Sequence, residues 1–116
     1  MLFKYEKIRK FEIIVNFVSK SKIKKINMDF LNHNYVTDII TFPYVQEKYI
    51  VDGELIISHE KVKENAKIFK TSYIEELKRV IIHGCLHLVG YNDENEAQKI
   101  EMRIKENIYL KKYNDL

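Results

Sequence analysis

The chain has 116 residues, 46% of them hydrophobic and 32% charged, which suits one domain spanning residues 1–116 with a core of its own. Its net charge of +3 is too mild to announce a nucleic-acid binder by itself, and no run approaches the roughly 18 to 20 apolar residues of a membrane span. The single cysteine, Cys85, excludes an intrachain disulfide, and residues 1–10 hold no apolar stretch of signal-peptide length, so a cytoplasmic, reducing location is expected.

Eight basic residues (Lys4, Lys7, Arg9, Lys10, Lys20, Lys22, Lys24, Lys25) stand against two acids within residues 1–25. That end reads either as a solvated lysine-rich face or as a surface for phosphates. Phe11, Ile13, Val15 and Phe17 alternate with their neighbours as a strand with one apolar face. Ser19 then reads as an N-cap, and Ile23, Ile26 and Phe30 mark a short amphipathic helix ending near residues 31–34. A second strand is expected over Val36 to Phe42, stopped by Pro43, with residues 44–49 as loop. Asp52-Gly53 reads as a tight turn before a third strand over Glu54 to Ser58.

Val62, Ala66 and Phe69 mark a helix, and Ser72 to Glu75 is a capping-box pattern opening a longer one through Val89. Apolar residues surround most of that helix from Val80 onward, which makes it the central buried helix, with Gly90 as its stop. Ala97, Ile100, Ile104 and Ile108 give a last amphipathic helix, with Glu101 and Lys105 paired four apart. The fold class is α+β: a small mixed β-sheet packed by helices, with a metal site at the C-terminal end of the central helix.

The metal expectation rests on the segment from His83 to Asp93. Two histidines four apart on a helix, His83 and His87, present both imidazoles on one face. Gly90 allows the chain to leave the helix and double back, so that Asp93, six residues past His87, supplies a third donor. Asp93 has a second reading, as an N-cap with Glu96 three residues on. The spacing is that of metzincin peptidases, but Gly84 occupies the position where those carry a glutamate base. Nitrogen and oxygen donors with an open position suit one Zn²⁺ per chain, although imidazoles also accept Ni²⁺, Cu²⁺ or Fe²⁺.

At this motif the sequence resembles the YbeY-type endoribonucleases, whose signature is His-Gly-x-Leu-His-Leu-x-Gly-Tyr-Asp-His. It matches seven of the nine specified positions: His83, Gly84, Leu86, His87, Leu88, Gly90 and Tyr91. Residues 31–43, containing Thr37-Asp38-Ile39-Ile40-Thr41-Phe42, and residues 53–58, Gly-Glu-Leu-Ile-Ile-Ser, resemble two further family segments in the family's order. Three departures stand out. The family's third histidine is Asp93, an arginine of many members is replaced by Leu31, and the segment ahead of Phe11 is too short for the usual strand and helix, so the domain is read as shortened at the N-terminus.

The resemblance implies a metal-dependent, single-strand-specific endoribonuclease of rRNA processing (16S rRNA 3′-end maturation) and ribosome quality control. Its partners would be single-stranded RNA or rRNA and the small ribosomal subunit or assembly factors, with no membrane and no DNA. His83 and His87 would act through the metal that they hold with Asp93. His33 and Asp38 are the nearest candidates for proton transfer; their plainer readings are a solvent-exposed turn histidine and a polar strand-end residue. Tyr91 is read either as a base-stacking ring or as a cap over the helix end. Two other classes remain open, a ribosome-assembly binding module with a structural or vestigial metal and a metal-dependent peptidase.

Overall fold

The computed structural model describes residues 2–115 and contains α1 (Leu2–Tyr5), β1 (Lys10–Val18), α2 (Lys20–Leu31), β2 (Ile39–Gln46), β3 (Ile50–Ser58), α3 (His59–Ile68), α4 (Tyr73–Leu88) and α5 (Glu96–Asn114). The sheet order is β1-β3-β2, with β1 parallel and β2 antiparallel to the central β3, so the sheet is mixed. Alternation along β3 splits the apolar residues between two layers. Val51, Leu55 and Ile57 join the main core with Leu86 and Leu88 of α4, while Ile56 joins Ile23 of α2 and Ile40 of β2 on the other face. No described helix is long and apolar enough to cross a membrane.

Several local expectations hold for the physical reasons given. The Ser19 hydroxyl accepts from the Lys22 N–H at 3.2 Å and the Ser72 hydroxyl from the Glu75 N–H at 3.1 Å, each satisfying a donor that the first helical turn leaves free. The other half of the Ser72 box is absent, because the Glu75 carboxylate turns to Lys78 and Asn114. Gly90 has φ +109°, a conformation that glycine adopts without strain, and α4 ends just before it.

Other expectations are overturned by packing. The second strand does not run from Val36 to Phe42 and stop at Pro43; it runs from Ile39 to Gln46 and passes through Pro43. As an edge strand, β2 tolerates a residue without an N–H, and the register shifts between Pro43 and Val45. Asp52 and Gly53 do not form a turn but lie inside β3, and the connection is the short loop at residues 47–49. Gly53 is required by close approach instead: a Cβ there would meet Leu88 Cδ2 at 2.5 Å and the Phe42 carbonyl oxygen at 3.1 Å.

The apolar stripe of α5 also lies differently. Ile100, Ile104 and Ile108 face outward, and the buried side is Met102, Glu106, Tyr109 and Leu110. Ion pairing of Glu106 to Arg79 and hydrogen bonding of Tyr109 to Glu6 set that rotation. Lys105, expected to pair with Glu101, reaches Glu6 at 3.7 Å. On β1 the apolar face is only half covered: Phe3 stacks on Phe11 at 4.6 Å between centroids, yet Phe11 and Phe17 remain 55% and 51% exposed at the sheet edge.

Gly53→Ala is expected to lose about 1–3 kcal/mol of stability, because the new methyl is caught between a buried leucine and fixed backbone. Thermal denaturation should show a drop of several degrees in Tm; an unchanged Tm would show that α4 can lift off β3 at little cost.

Candidate metal centre

The centre forms where α4 ends. One helical turn separates His83 from His87, so their rings stack edge to face with centroids 4.6 Å apart and their Nε2 atoms 3.1 Å apart. After Gly90 the chain turns back, and Asp93 Oδ2 comes within 3.3 Å of His83 Nε2 and 3.4 Å of His87 Nε2. Asp93 is therefore not the cap of the last helix. Asn95 holds that place, accepting from the Gln98 N–H at 2.8 Å while the Gln98 side chain accepts from the Asn95 N–H. His83, His87 and Asp93 are half-buried and form a possible metal-binding triad.

The fit to a cation rests on two observations. Three ligand atoms at about 2.0–2.1 Å from a tetrahedral ion lie roughly 3.3–3.4 Å from one another, and the three separations found are 3.1, 3.3 and 3.4 Å. Second, both outer nitrogens are committed to groups that only accept. His87 Nδ1 donates to the Tyr91 carbonyl at 2.9 Å, and His83 Nδ1 donates to Glu106 Oε2 at 2.7 Å. In the neutral rings this leaves two Nε2 lone pairs and a carboxylate oxygen facing one point, an arrangement that calls for positive charge.

The electrostatics agree. Burial alone lowers the His83 pKa, but the hydrogen bond and charge of Glu106, with the charges of Asp93 and Asp38, outweigh it and hold the imidazole above its ordinary value. Burial likewise disfavours the Glu106 anion, yet hydrogen bonds from His83 and Arg79 hold that carboxyl below the usual range. Cys85, between the histidines in sequence, lies on a different face of α4, and burial pushes its thiol up to about 11, far from a reactive thiolate.

Two supporting groups, Glu106 and Gln46, escaped the sequence reading, and Tyr91, read there as a stacking ring or a cap over the helix end, gives its N–H to the Leu86 carbonyl at 3.0 Å and supports His87 as well. Glu106 bonds both His83 and, at 3.0 Å, Arg79. The Gln46 amide donates to the carbonyls of His87 and Leu88 at 3.2 and 3.1 Å, satisfying acceptors that the end of α4 leaves open. Tyr91 acts through its carbonyl, while its hydroxyl donates to Glu6 at 2.8 Å. Only the Gly-Tyr continuation of the histidine motif hinted at any of these; Glu106 and Gln46 act across 23 and 41 residues.

Beside His83 opens a cavity of about 550 Å³ whose walls include Asp38, Phe69, Glu76, Arg79 and Arg103. Asp38 is thus brought to the same cavity as His83, with its carboxylate accepting from Asn65 at 3.4 Å. His33 is not; it stands exposed in the loop after α2, stacked on Tyr35 at 5.3 Å between centroids. Leu31 closes α2 and is 43% exposed.

Two outcomes are expected. Arg79 and His83 donate to different oxygens of Glu106, and in Glu106→Gln one of these becomes an NH₂ group; turned to His83 it would move the ring proton to Nε2, so metal affinity should fall about 10- to 100-fold, read by competition with a chromophoric chelator. Glu76, buried on α4, has its carboxyl pKa raised chiefly by burial and then by the charge of Asp38. A raised folded value means that stability is lost as pH climbs from the ordinary carboxylate range through the folded pKa. Glu76→Gln should then exceed wild type in Tm at pH 7–8, the difference shrinking toward pH 4; a pH-independent difference would refute this.

The sequence model of the family described as Endoribonuclease YbeY matches residues 1–114. A protein of Chlorobium limicola named Endoribonuclease YbeY is 43% identical over 103 residues, 89% of this chain and 71% of that one. One of the same name from Amoebophilus asiaticus is 44% identical over 94 residues, 81% of this chain and 64% of that one, so the chain spans about two-thirds of such relatives. A protein of Thermotoga maritima solved in solution shares the fold with a TM-score of 0.67 and 33% identity, over 94% of this chain and 71% of that one. By the match along its length, the chain belongs to the YbeY endoribonuclease family.

Proposed function

We propose that the chain is a metal-dependent endoribonuclease that cuts single-stranded RNA in rRNA processing, at the 3′ end of 16S rRNA and in ribosome quality control, in the reducing cytoplasm. The observation that carries the reading is the triangle of His83 Nε2, His87 Nε2 and Asp93 Oδ2, with both Nδ1 atoms tied to acceptors behind it. Family membership supports RNA as the substrate. Small-subunit rRNA and its assembly factors are the partners that the sequence resemblance favours.

His83, His87 and Asp93 would hold one divalent ion, and the two-nitrogen, one-oxygen donor set favours Zn²⁺. Such an ion supplies Lewis acidity, lowering the pKa of water and drawing charge from a phosphoryl oxygen. Glu106 and the Tyr91 carbonyl would hold each ring by its Nδ1–H, turning the Nε2 lone pair toward the ion. Asp38, which lines the cavity beside His83, would take the proton of the attacking water as its oxygen bonds to phosphorus and the P–O bond to the leaving strand breaks. His33 is set aside from this role because its ring lies against Tyr35 in an exposed loop.

A peptidase mechanism of the metzincin kind finds no support at position 84. A Cβ on Gly84 would meet Ile39 Cδ1 at 2.7 Å and Leu55 Cδ2 at 2.8 Å, so the position points into the sheet and has no room for a glutamate base.

The test is cleavage of an unstructured RNA oligonucleotide beside a DNA oligonucleotide of the same sequence and a peptide library. Zinc-loaded wild type should cut RNA alone and lose activity with chelator, while His83→Ala and Asp93→Ala should lose at least about 100-fold in kcat/KM with metal content falling by elemental analysis. RNA binding without cleavage, unchanged in His83→Ala and Asp93→Ala, would favour the binding-module reading; RNA cleavage insensitive to chelator would sink the metal mechanism.

A further inference from the structure

The cavity beside the triad holds two groups that the triad's chemistry does not use. Arg103 lies on α5 one turn before Glu106, the residue bonded to His83, so its Cα stands about 4.5 Å along the helix toward the end where Asp93 enters. It lines the cavity, is exposed, and makes no ion pair with a carboxylate among the described residues. The other cation of the cavity, Arg79, is committed to Glu106 and Asn107, both at 3.0 Å.

The carboxylates of the cavity are largely occupied elsewhere. Glu106 is bonded by Arg79 and His83, Glu75 faces Lys78 and Asn114, and Asp38 accepts from Asn65. Glu76 is buried, and burial raises its carboxyl pKa. Arg103, whose charge is felt by Glu76 without an ion pair between them, is thus the guanidinium of the cavity open to an anion.

Phe69, the C-cap of α3, lines the same cavity while 63% exposed. An aromatic ring left in solvent in one cavity with an arginine that makes no ion pair is a combination that suits single-stranded nucleic acids, the ring for a base and the guanidinium for a phosphate. The cavity of about 550 Å³ falls within the roughly 300–1,000 Å³ of small-ligand sites.

We propose that Phe69 and Arg103 form a nucleotide subsite next to the triad, in which the ring stacks on an unpaired base and the guanidinium holds the phosphate on one side of the bond to be cut. The inference rests on the RNA-cleavage reading for its substrate but concerns binding, so the two can fail separately. Both residues are positioning residues, since neither belongs to the metal triad or its supports.

The experiment measures fluorescence anisotropy of a labelled 2′-O-methyl RNA 12-mer, which supplies no 2′-hydroxyl, with wild type, Phe69→Ala, Arg103→Ala and Lys24→Ala at several salt concentrations. Lys24, an exposed lysine of α2, is the control. Phe69→Ala should bind roughly 5- to 100-fold more weakly, and Arg103→Ala should flatten the salt slope by about 0.7, one phosphate contact on a single strand. Both should raise KM for RNA cleavage with kcat within about threefold, since uniform binding is what they remove.

Wild-type affinity and slope in both variants, or no binding by wild type, overturn the subsite. Wild-type KM in both variants while wild type cuts RNA overturns the subsite and leaves the cleavage reading standing. Weakened binding in both variants with no RNA cleavage by zinc-loaded wild type keeps the subsite and removes the cleavage reading. Equal loss in Lys24→Ala overturns the specific pair in favour of diffuse charge.

Discussion

The seat of α4 on the sheet is the constraint from which the centre follows. Two glycines make the approach possible: Gly84 lets Leu55 and Ile39 reach the helix, and Gly53 lets Leu88 settle on the strand. Since successive residues of a helix are about 100° apart, directing Gly84 into the sheet sends His83 to the flank of the helix, where α5 and the returning turn can meet it. Gln46 then fastens the last carbonyls of the helix to the tail of β2. The two imidazoles thus stand on a helix whose height and end are both held, which is the kind of rigid support that a preorganised site requires.

A second layer of order comes from one buried acid. Glu106 is 5% exposed, and an anion so placed is costly unless paired. It is paired twice, by Arg79 along α4 and by His83 one turn further on. The same contacts dock α5 and aim a ring, so helix packing and ligand orientation are not separable here. This also explains why α5 turns its isoleucines outward: the polar contacts of Glu106 and Tyr109 decide its phase, and three exposed isoleucines are the consequence.

What could be read from the residues in order was whatever depends on near neighbours. His83, His87, Gly90 and Asp93 lie within eleven positions, and a helix followed by a glycine turn constrains their relative placement closely. The hydroxyl caps Ser19 and Ser72 are similarly local. Asp93 and Asn95 offer equally competent capping oxygens, and only the folded turn decides that Asn95 caps while Asp93 faces the histidines. Asp52-Gly53 looks like a turn because turns and close approach both need a missing side chain, and a single sequence does not say which is at work. Glu106 and Gln46 were illegible for a plainer reason: their partners are distant in the chain, and no local pattern marks them.

The strut formed by Glu6 has a practical consequence. Its carboxylate receives the hydroxyls of Tyr91 and Tyr109 and lies 3.7 Å from Lys105, tying the segment after α1 to the turn that delivers Asp93 and to α5. The first residues of the chain therefore brace the centre even though they contribute no ligand. An affinity handle or reporter joined at the amino end would bear on that brace and blur any comparison of metal content between preparations. The carboxyl end, where α5 closes at Asn114 well beyond Glu106, is the better place to attach one.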